Sequence, residues 1–289
     1  MKSWLQLVRP ANVLTAVSDV WAGAALAAMF AVSTLAGFPE LLCAALSGML
    51  LYTGGIVFND VFDVELDRAE RPERPIPSGK VPKSGAVVLG VAAFALGCLL
   101  AFLVNKTAFC LSLGIVLMCF VYNGTAKRHF VLGPVAMGAC RGLNLLLGVA
   151  TLPEALAHWS IALVPIVYIA AVTNISRGEV FGNNRTAMRI SAFLYALVAL
   201  VLLYFTYTSG HFFALAFILS FVLMVAVPLF RALKSLKPTD VRRAVKFGVL
   251  ALVLMNASWT AIAGFWELAL WICAILPMSV YLGGKYAVT

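Results

Sequence analysis

Four oxygen-bearing side chains stand just past the end of an apolar run at Phe58: Asn59 and Asp60 lie four and three residues before Asp63, and Asp67 lies four after it. Residues three or four apart on a helix share a face, so a helix that continues past Phe58 gathers all four. Carboxylates that close repel unless a cation lies between them. A partial set of hard oxygen donors suits Mg²⁺, which keeps several waters and completes its shell with substrate phosphates. The spacing therefore predicts a Mg²⁺-diphosphate site with Asn59, Asp60, Asp63 and Asp67 as ligands. The whole chain holds only twelve Asp and Glu residues, yet Asp60, Asp63, Glu65, Asp67, Glu70 and Glu73 fall within fourteen positions. The ordinary alternative is a solvated helix end whose acids pair with Arg68, Arg71 and Arg74, but ionisable groups at a membrane boundary are costly and more often functional. Glu65 and Glu70 face elsewhere and read as solvated. The X-Pro steps and Ser-Gly of RPERPIPSG, residues 71–79, predict an irregular loop from which Arg74 can fold back over an anion.

The elements that must position this cluster are membrane helices. Of 289 residues 63% are hydrophobic and 11% charged, and the mean hydropathy is +0.99, where a soluble domain carries about 25% charged residues. Apolar runs cover 11–38, 41–58, 85–104, 108–121, 131–152, 159–173, 190–208, 212–230, 247–266 and 268–282. Most suit a hydrocarbon core that needs about 20 helical residues; 108–121 and 159–173 are short and need flanking polar residues to complete them. None alternates as a barrel strand does, so the fold class is all-α, a polytopic helical bundle in a single domain over 1–289. Asp19 inside the first run and the lack of a cleavage site predict that this helix is retained. The Lys and Arg residues alternate by loop: Lys2 and Arg9, then 68–83, Lys127 and Arg128, 177–189, 231–246 and Lys285 fall on one side. The positive-inside rule makes that side cytoplasmic. Topology thus accounts for the net charge of +9, and nucleic acid is not expected as a partner. It also discounts the triplets at Asn105, Asn123 and Asn174 as glycosylation sites. The six cysteines lie within apolar runs without metal-ligand spacing and read as small core residues.

NDVFDVELDRAERPERPIPSG, residues 59–79, resembles the first motif of the UbiA superfamily of intramembrane prenyltransferases. RPAN at 9–12, YNGTAKR at 122–128 and GACRGLNLLLG at 138–148 extend the likeness along the chain. The resemblance implies a core of nine helices around a lateral, lipid-open cavity that binds Mg²⁺ and an isoprenyl diphosphate beneath cytoplasmic loops; the run 268–282 then adds a tenth span. It implies a second acidic motif at the end of the sixth span. There the chain reads YIAAVTNISRGEVFGNNR, residues 168–185, with Asn174 and Glu179 as the second ligand set. SRGE resembles a divergent, EboC-like branch linked with bacterial secondary-metabolite clusters.

The expected reaction is Mg²⁺-dependent transfer of an isoprenyl group to a lipophilic or aromatic acceptor, by a protein integral to a bacterial plasma membrane. Asp60, Asp63 and Tyr122 are the catalytic candidates. Arg68, Arg74, Lys127, Arg128, Arg177 and Asn12 are the candidates for substrate binding. Asp19 and Arg141 are candidates for an ion pair, because buried charges within spans face the bundle and pair. His129, His158 and His211 stand alone. The alternative function is a non-catalytic lipid-binding or transport component that kept the fold. A phosphoalcohol transferase ranks last, since its tight DGxxAR arrangement is absent.

Overall fold

The computed structural model describes residues 2–176 and 185–286, and every regular element among them is helical. A short α1 (Lys2–Val8) leads into α2 (Pro10–Phe30), followed by α3 (Phe38–Phe62), a short α4 (Val64–Glu70), α5 (Lys83–Val104), α6 (Lys106–Gly124) and α7 (Leu132–Val149). A 3₁₀ stretch, Pro153–Ala162, opens the span that continues as α8 (Leu163–Ser176); then come α9 (Arg185–Ser209), α10 (Ala214–Ser235), α11 (Pro238–Ile262) and α12 (Trp266–Tyr286). Ten of these segments are long and apolar enough to cross a membrane. The two short runs are completed as expected, by Lys106–Gly124 and by Pro153–Ser176. The run at 268–282 is a full span, α12, packed against both α2 and α11.

Three helices form the centre. In their most apolar windows α2, α7 and α11 are 78%, 67% and 72% buried, against 22–50% for the other spans. Their composition explains this, because association in lipid depends on close packing and interhelical hydrogen bonds, which small residues permit. Residues 22–28 of α2 are Ala-Gly-Ala-Ala-Leu-Ala-Ala, and the tightest approach is between α2 and α7 at Gly23 and Gly148. A Cβ at Gly23 would lie 2.0 Å from the Leu145 carbonyl oxygen, and one at Gly148 would lie 2.0 Å from that of Val20. Backbone cannot yield as a side chain tip can. Gly148→Ala should therefore destabilise the chain by at least about 1–3 kcal/mol, whereas Gly124→Ala, with nothing within 4 Å of its Cβ position, should be neutral or slightly stabilising. Thermal melting of the two variants in one detergent is the check; equal behaviour would refute the packing argument. The outer helices turn Leu96, Leu99, Phe102 and Leu103 outward, a surface matched to lipid tails.

A buried polar knot ties the centre together. Arg141 Nη1 donates to Asp19 Oδ2 at 2.7 Å and Nη2 to Thr15 Oγ1 at 2.6 Å. Asn144 Nδ2 donates to Asp19 Oδ2 at 3.0 Å, and Asn256 Nδ2 to Asp19 Oδ1 at 2.7 Å. The guanidinium carbon lies 4.4 Å from the centre of the Tyr52 ring. The pair expected from sequence is present, and it joins α2, α3, α7 and α11. The cysteines are all free, and His158 stacks on Phe30 with ring centres 4.2 Å apart.

Candidate active site

The acidic motif lies on a helix that nearly continues. The α3 helix ends at Phe62, and α4 resumes at Val64 with Asp63 as the joint (φ −89°, ψ 2°). Backbone bonds from Asp63 N to Asn59 O and from Asp67 N to Asp63 O carry the helical ladder across it. Asp60 and Asp67, seven residues apart, are both 3% exposed. Arg74 folds back from the proline-rich loop, as expected, but the anions it meets are these two carboxylates. Its Nη1 lies 2.6 Å from Asp67 Oδ2 and 3.6 Å from Asp60 Oδ1. Arg9 Nη2 reaches Asp60 Oδ1 at 2.5 Å, and Lys127 pairs with Asp63. The cations between the acids are thus protein side chains.

Arg9 owes its position to an unusual backbone. It occupies the left-handed region, φ 52° and ψ 63°, which is uncommon for a residue other than glycine. Pro10 follows it at the start of α2, and the break between α1 and α2 places the side chain over Asp60.

Asn59 is held from the next span. Its Nδ2 donates to Asn123 Oδ1 at 2.8 Å, and Asn123 Nδ2 donates to the Cys119 carbonyl at 2.9 Å. Asn123, 5% exposed, fixes which way the Asn59 amide faces. Asn123→Ala would leave that amide without its acceptor, and removal of one such buried partner costs about 1–3 kcal/mol. The melting temperature should therefore fall by several degrees, about 2–4 °C per kcal/mol, and a melting curve beside wild type in one detergent is the check.

Below the motif lies a cavity of about 230 Å³. Its mouth carries Arg9, Asn12, Asn59, Tyr122 and Asn123; its walls are largely apolar, from α3, α6, α7, α8 and α11; and Arg141 and Asn144 line it deeper in. The spacing between Asn59 and Gly48, both lining residues on α3, gives a depth of about 16 Å at 1.5 Å per helical residue.

The remaining candidates divide. Asn12 and Tyr122 line the cavity, and Lys127 joins the cluster. Arg68 does not: it pairs with Glu65 at 2.8 Å on the surface, with 60% of its side chain exposed. One residue past Asp67, it is turned about 100° around the helix. Arg128 is exposed as well, since the 3₁₀ turn Ala126–Arg128 directs adjacent side chains apart. Asn174 lies in the last turn of α8, where the bonds it makes engage its amide nitrogen and not the Oδ1 that would ligate a metal. Its Nδ2 donates to Ala187 O at 2.8 Å and to Ser191 Oγ at 3.2 Å, which ties α8 to α9, and the cavity wall is formed by its neighbour Thr173. Arg177 and Glu179, and with them most of SRGE, lie outside the described residues.

The donor chemistry fits Mg²⁺. Among the described residues no three His, Cys, Asp or Glu side chains converge as a ready metal cage. Mg²⁺, however, binds through one or two carboxylates plus substrate phosphates and seldom through an all-protein cage. Asp60 and Asp67, brought to a single guanidinium, provide such a pair; Asp63, held by Lys127, and Asn59 belong to the same helical motif.

The model of the UbiA prenyltransferase family matches residues 20–177, more than half of the chain and including the whole acidic motif. The chain belongs to the UbiA prenyltransferase family. A digeranylgeranylglyceryl phosphate synthase of Sulfurisphaera tokodaii is 30% identical over 170 residues, 58% of this chain and 59% of that one. The chain thus spans about three fifths of that relative's length. The apo structure of a UbiA homolog from Aeropyrum pernix K1 matches with a TM-score of 0.72 at 17% identity, covering 85% of this chain and 96% of that one. A UbiA homolog from Archaeoglobus fulgidus bound to GPP and Mg²⁺ matches with a TM-score of 0.58 at 14% identity, covering 95% and 99%. At such identities these likenesses concern the fold. As in the UbiA family at large, the chain is an integral membrane protein.

Proposed function

We propose that this UbiA family member transfers an isoprenyl group from an isoprenyl diphosphate to a lipophilic acceptor within the membrane, with Mg²⁺ as cofactor. The observation that carries the proposal is that Arg9, which holds Asp60, and Asn59, the first residue of the acidic motif, both line the mouth of the apolar cavity. A diphosphate at that mouth would meet Arg9, Arg74 and Lys127, each now held by a carboxylate. These cations would turn to the phosphate oxygens, for which the planar guanidinium fork is well suited. Asp60, Asp67, Asp63 and Asn59 would then hold Mg²⁺, which when bound supplies Lewis-acid stabilisation of the leaving diphosphate.

The isoprenyl tail would extend between Leu51, Ile56, Ile115, Ile169, Val172 and Leu252, which line the cavity. Exclusion of water by these walls protects an allylic cation from capture. Tyr122 presents an aromatic ring at the same mouth, where it would stabilise the cation through its π face. The likeness to a Sulfurisphaera tokodaii protein named for digeranylgeranylglyceryl phosphate adds glyceryl phosphate lipids to the candidate acceptors. The loop charges support placing this mouth on the cytoplasmic side of the membrane.

The test is turnover of labelled isoprenyl diphosphates of several lengths by purified protein, with and without Mg²⁺. Metal-dependent release of diphosphate with prenylation of a lipid is the expected result. Inactivity of well-folded protein across donors and acceptors would favour the second reading, a non-catalytic lipid-binding or transport component. One observation points that way: the neutral Asn174 stands where the family resemblance calls for an acid.

A further inference from the structure

Two thiols face one another in the wall of the apolar cavity. Cys119 of α6 and Cys140 of α7 lie with their sulfurs 3.9 Å apart, and both residues line the cavity. The proposed reaction uses neither. No other two cysteines come within hydrogen-bonding distance among the described residues. A disulfide holds its sulfurs at about 2.05 Å, so closing the bond takes a movement of about 2 Å shared between two side chains. Gly55 of α3 leaves the Cys119 sulfur room to turn: a Cβ there would stand 2.9 Å from it.

Position selects the oxidant. Cys119 stands one helical turn below Asn123 at the mouth, about 6 Å at 1.5 Å per residue, in a cavity whose walls include Leu51, Ile56, Ile115 and Ile169. Charged oxidants stay in water, whereas a lipid-soluble quinone dissolves in hydrocarbon and suits such walls. Its reaction with two thiols leaves no ion behind. Both S–H bonds break and one S–S bond forms; the two electrons and two protons pass to the quinone oxygens, which become the two hydroxyls of a hydroquinone. Reactants and products are all neutral, which matters where an unpaired charge is costly.

We infer that Cys119 and Cys140 are a redox pair, oxidised to a disulfide between α6 and α7 by a quinone that enters the apolar cavity. The disulfide would be felt at the acidic motif through Asn123. That side chain donates to the Cys119 carbonyl at 2.9 Å and accepts from Asn59 at 2.8 Å, so the turn of α6 that carries Cys119 also holds one member of the motif. The pair rests on the proposed function only in that a lipophilic molecule enters the cavity; prenyl transfer is not needed.

The experiment uses the full reduced chain in neutral detergent with decylubiquinone, whose ring carries no hydrogen for a thiol to displace. One hydroquinone should form per chain, followed by ultraviolet absorbance, and mass spectrometry should find tryptic peptides 107–127 and 129–141 joined. Dithiothreitol should separate them again. Cys119→Ser and Cys140→Ser should each abolish both the hydroquinone and the link. Cys110→Ser, on the same peptide as Cys119, should react as wild type. Serine closely matches cysteine in shape, so the fold persists, and melting curves verify this. Absence of hydroquinone, or a link that survives in Cys119→Ser, would overturn the inference. A quinone adduct on either cysteine in place of the disulfide would equally overturn it. A link formed with oxidised glutathione but not with decylubiquinone would overturn the choice of oxidant. No readout requires isoprenyl diphosphate, so failure of the proposed reaction leaves each of them decisive.

Discussion

Replacing Asp19 by Leu should lower the stability of the chain by about 3–5 kcal/mol, because it leaves the Arg141 guanidinium charged and unpaired inside the bundle. Asp19 and Arg141 are 1% and 5% exposed, so water cannot take over the lost partner. The damage extends beyond one pair. Both carboxylate oxygens are used, Oδ2 by Arg141 and Asn144 and Oδ1 by Asn256, so α2, α7 and α11 lose a common anchor. The double variant Asp19→Leu, Arg141→Met removes both charges and should recover most of the loss, since a buried ion pair replaced by apolar side chains is often neutral or stabilising. Melting of wild type, single and double variants in one detergent measures the difference. A double variant as unstable as the single would show that packing, and not the uncompensated charge, dominates at this position.

The same pair shows what a sequence can disclose. Two opposite charges within spans must find partners, so Asp19 and Arg141 could be matched across 122 residues. Asn256 could not. A neutral amide in an apolar run gives no charge signal, and its bond to Asp19 spans 237 positions. The ten spans were legible because the bilayer sets their length, while the close pairing of α2 with α7 at the centre follows from packing between Gly23 and Gly148 that only tertiary contact reveals.

At the site, composition identified the acidic motif and the return of Arg74, but spacing could not choose between Lys127 and Arg128. One turn of 3₁₀ helix makes that choice. Arg9 read as a topology-setting charge, and its role depends on a left-handed backbone before Pro10 that has no residue-level signature. Asn123 was visible as part of an Asn-Gly-Thr triplet and of the YNGTAKR likeness, neither of which pointed to its bond with Asn59. In the last turn of α8 spacing could not tell which residue lines the cavity, and helical phase gives that wall to Thr173.

Asp60→Asn and Asp67→Asn should each reduce Mg²⁺-dependent turnover of labelled geranyl diphosphate about a hundredfold or more, the scale on which loss of a ligand or of a preorganised electrostatic partner acts. Each change keeps the shape of the side chain and removes its charge, so it tests the carboxylate and not the packing. The fold should tolerate both. Arg74 keeps one acid when the other is neutralised, and Arg9 retains access to water, with 32% of its side chain exposed. Melting temperatures should therefore move little while activity collapses, a combination that a structural role for the aspartates would not produce. Glu65→Gln is the internal control: its partner Arg68 is exposed, exposed pairs contribute little, and turnover should stay within about twofold. A non-catalytic lipid carrier would bind isoprenyl lipids equally well in all three variants. An aspartate variant that retained full metal-dependent turnover would remove Asp60 and Asp67 from the reaction, and with them the reason for gathering so much charge at the mouth of an apolar cavity.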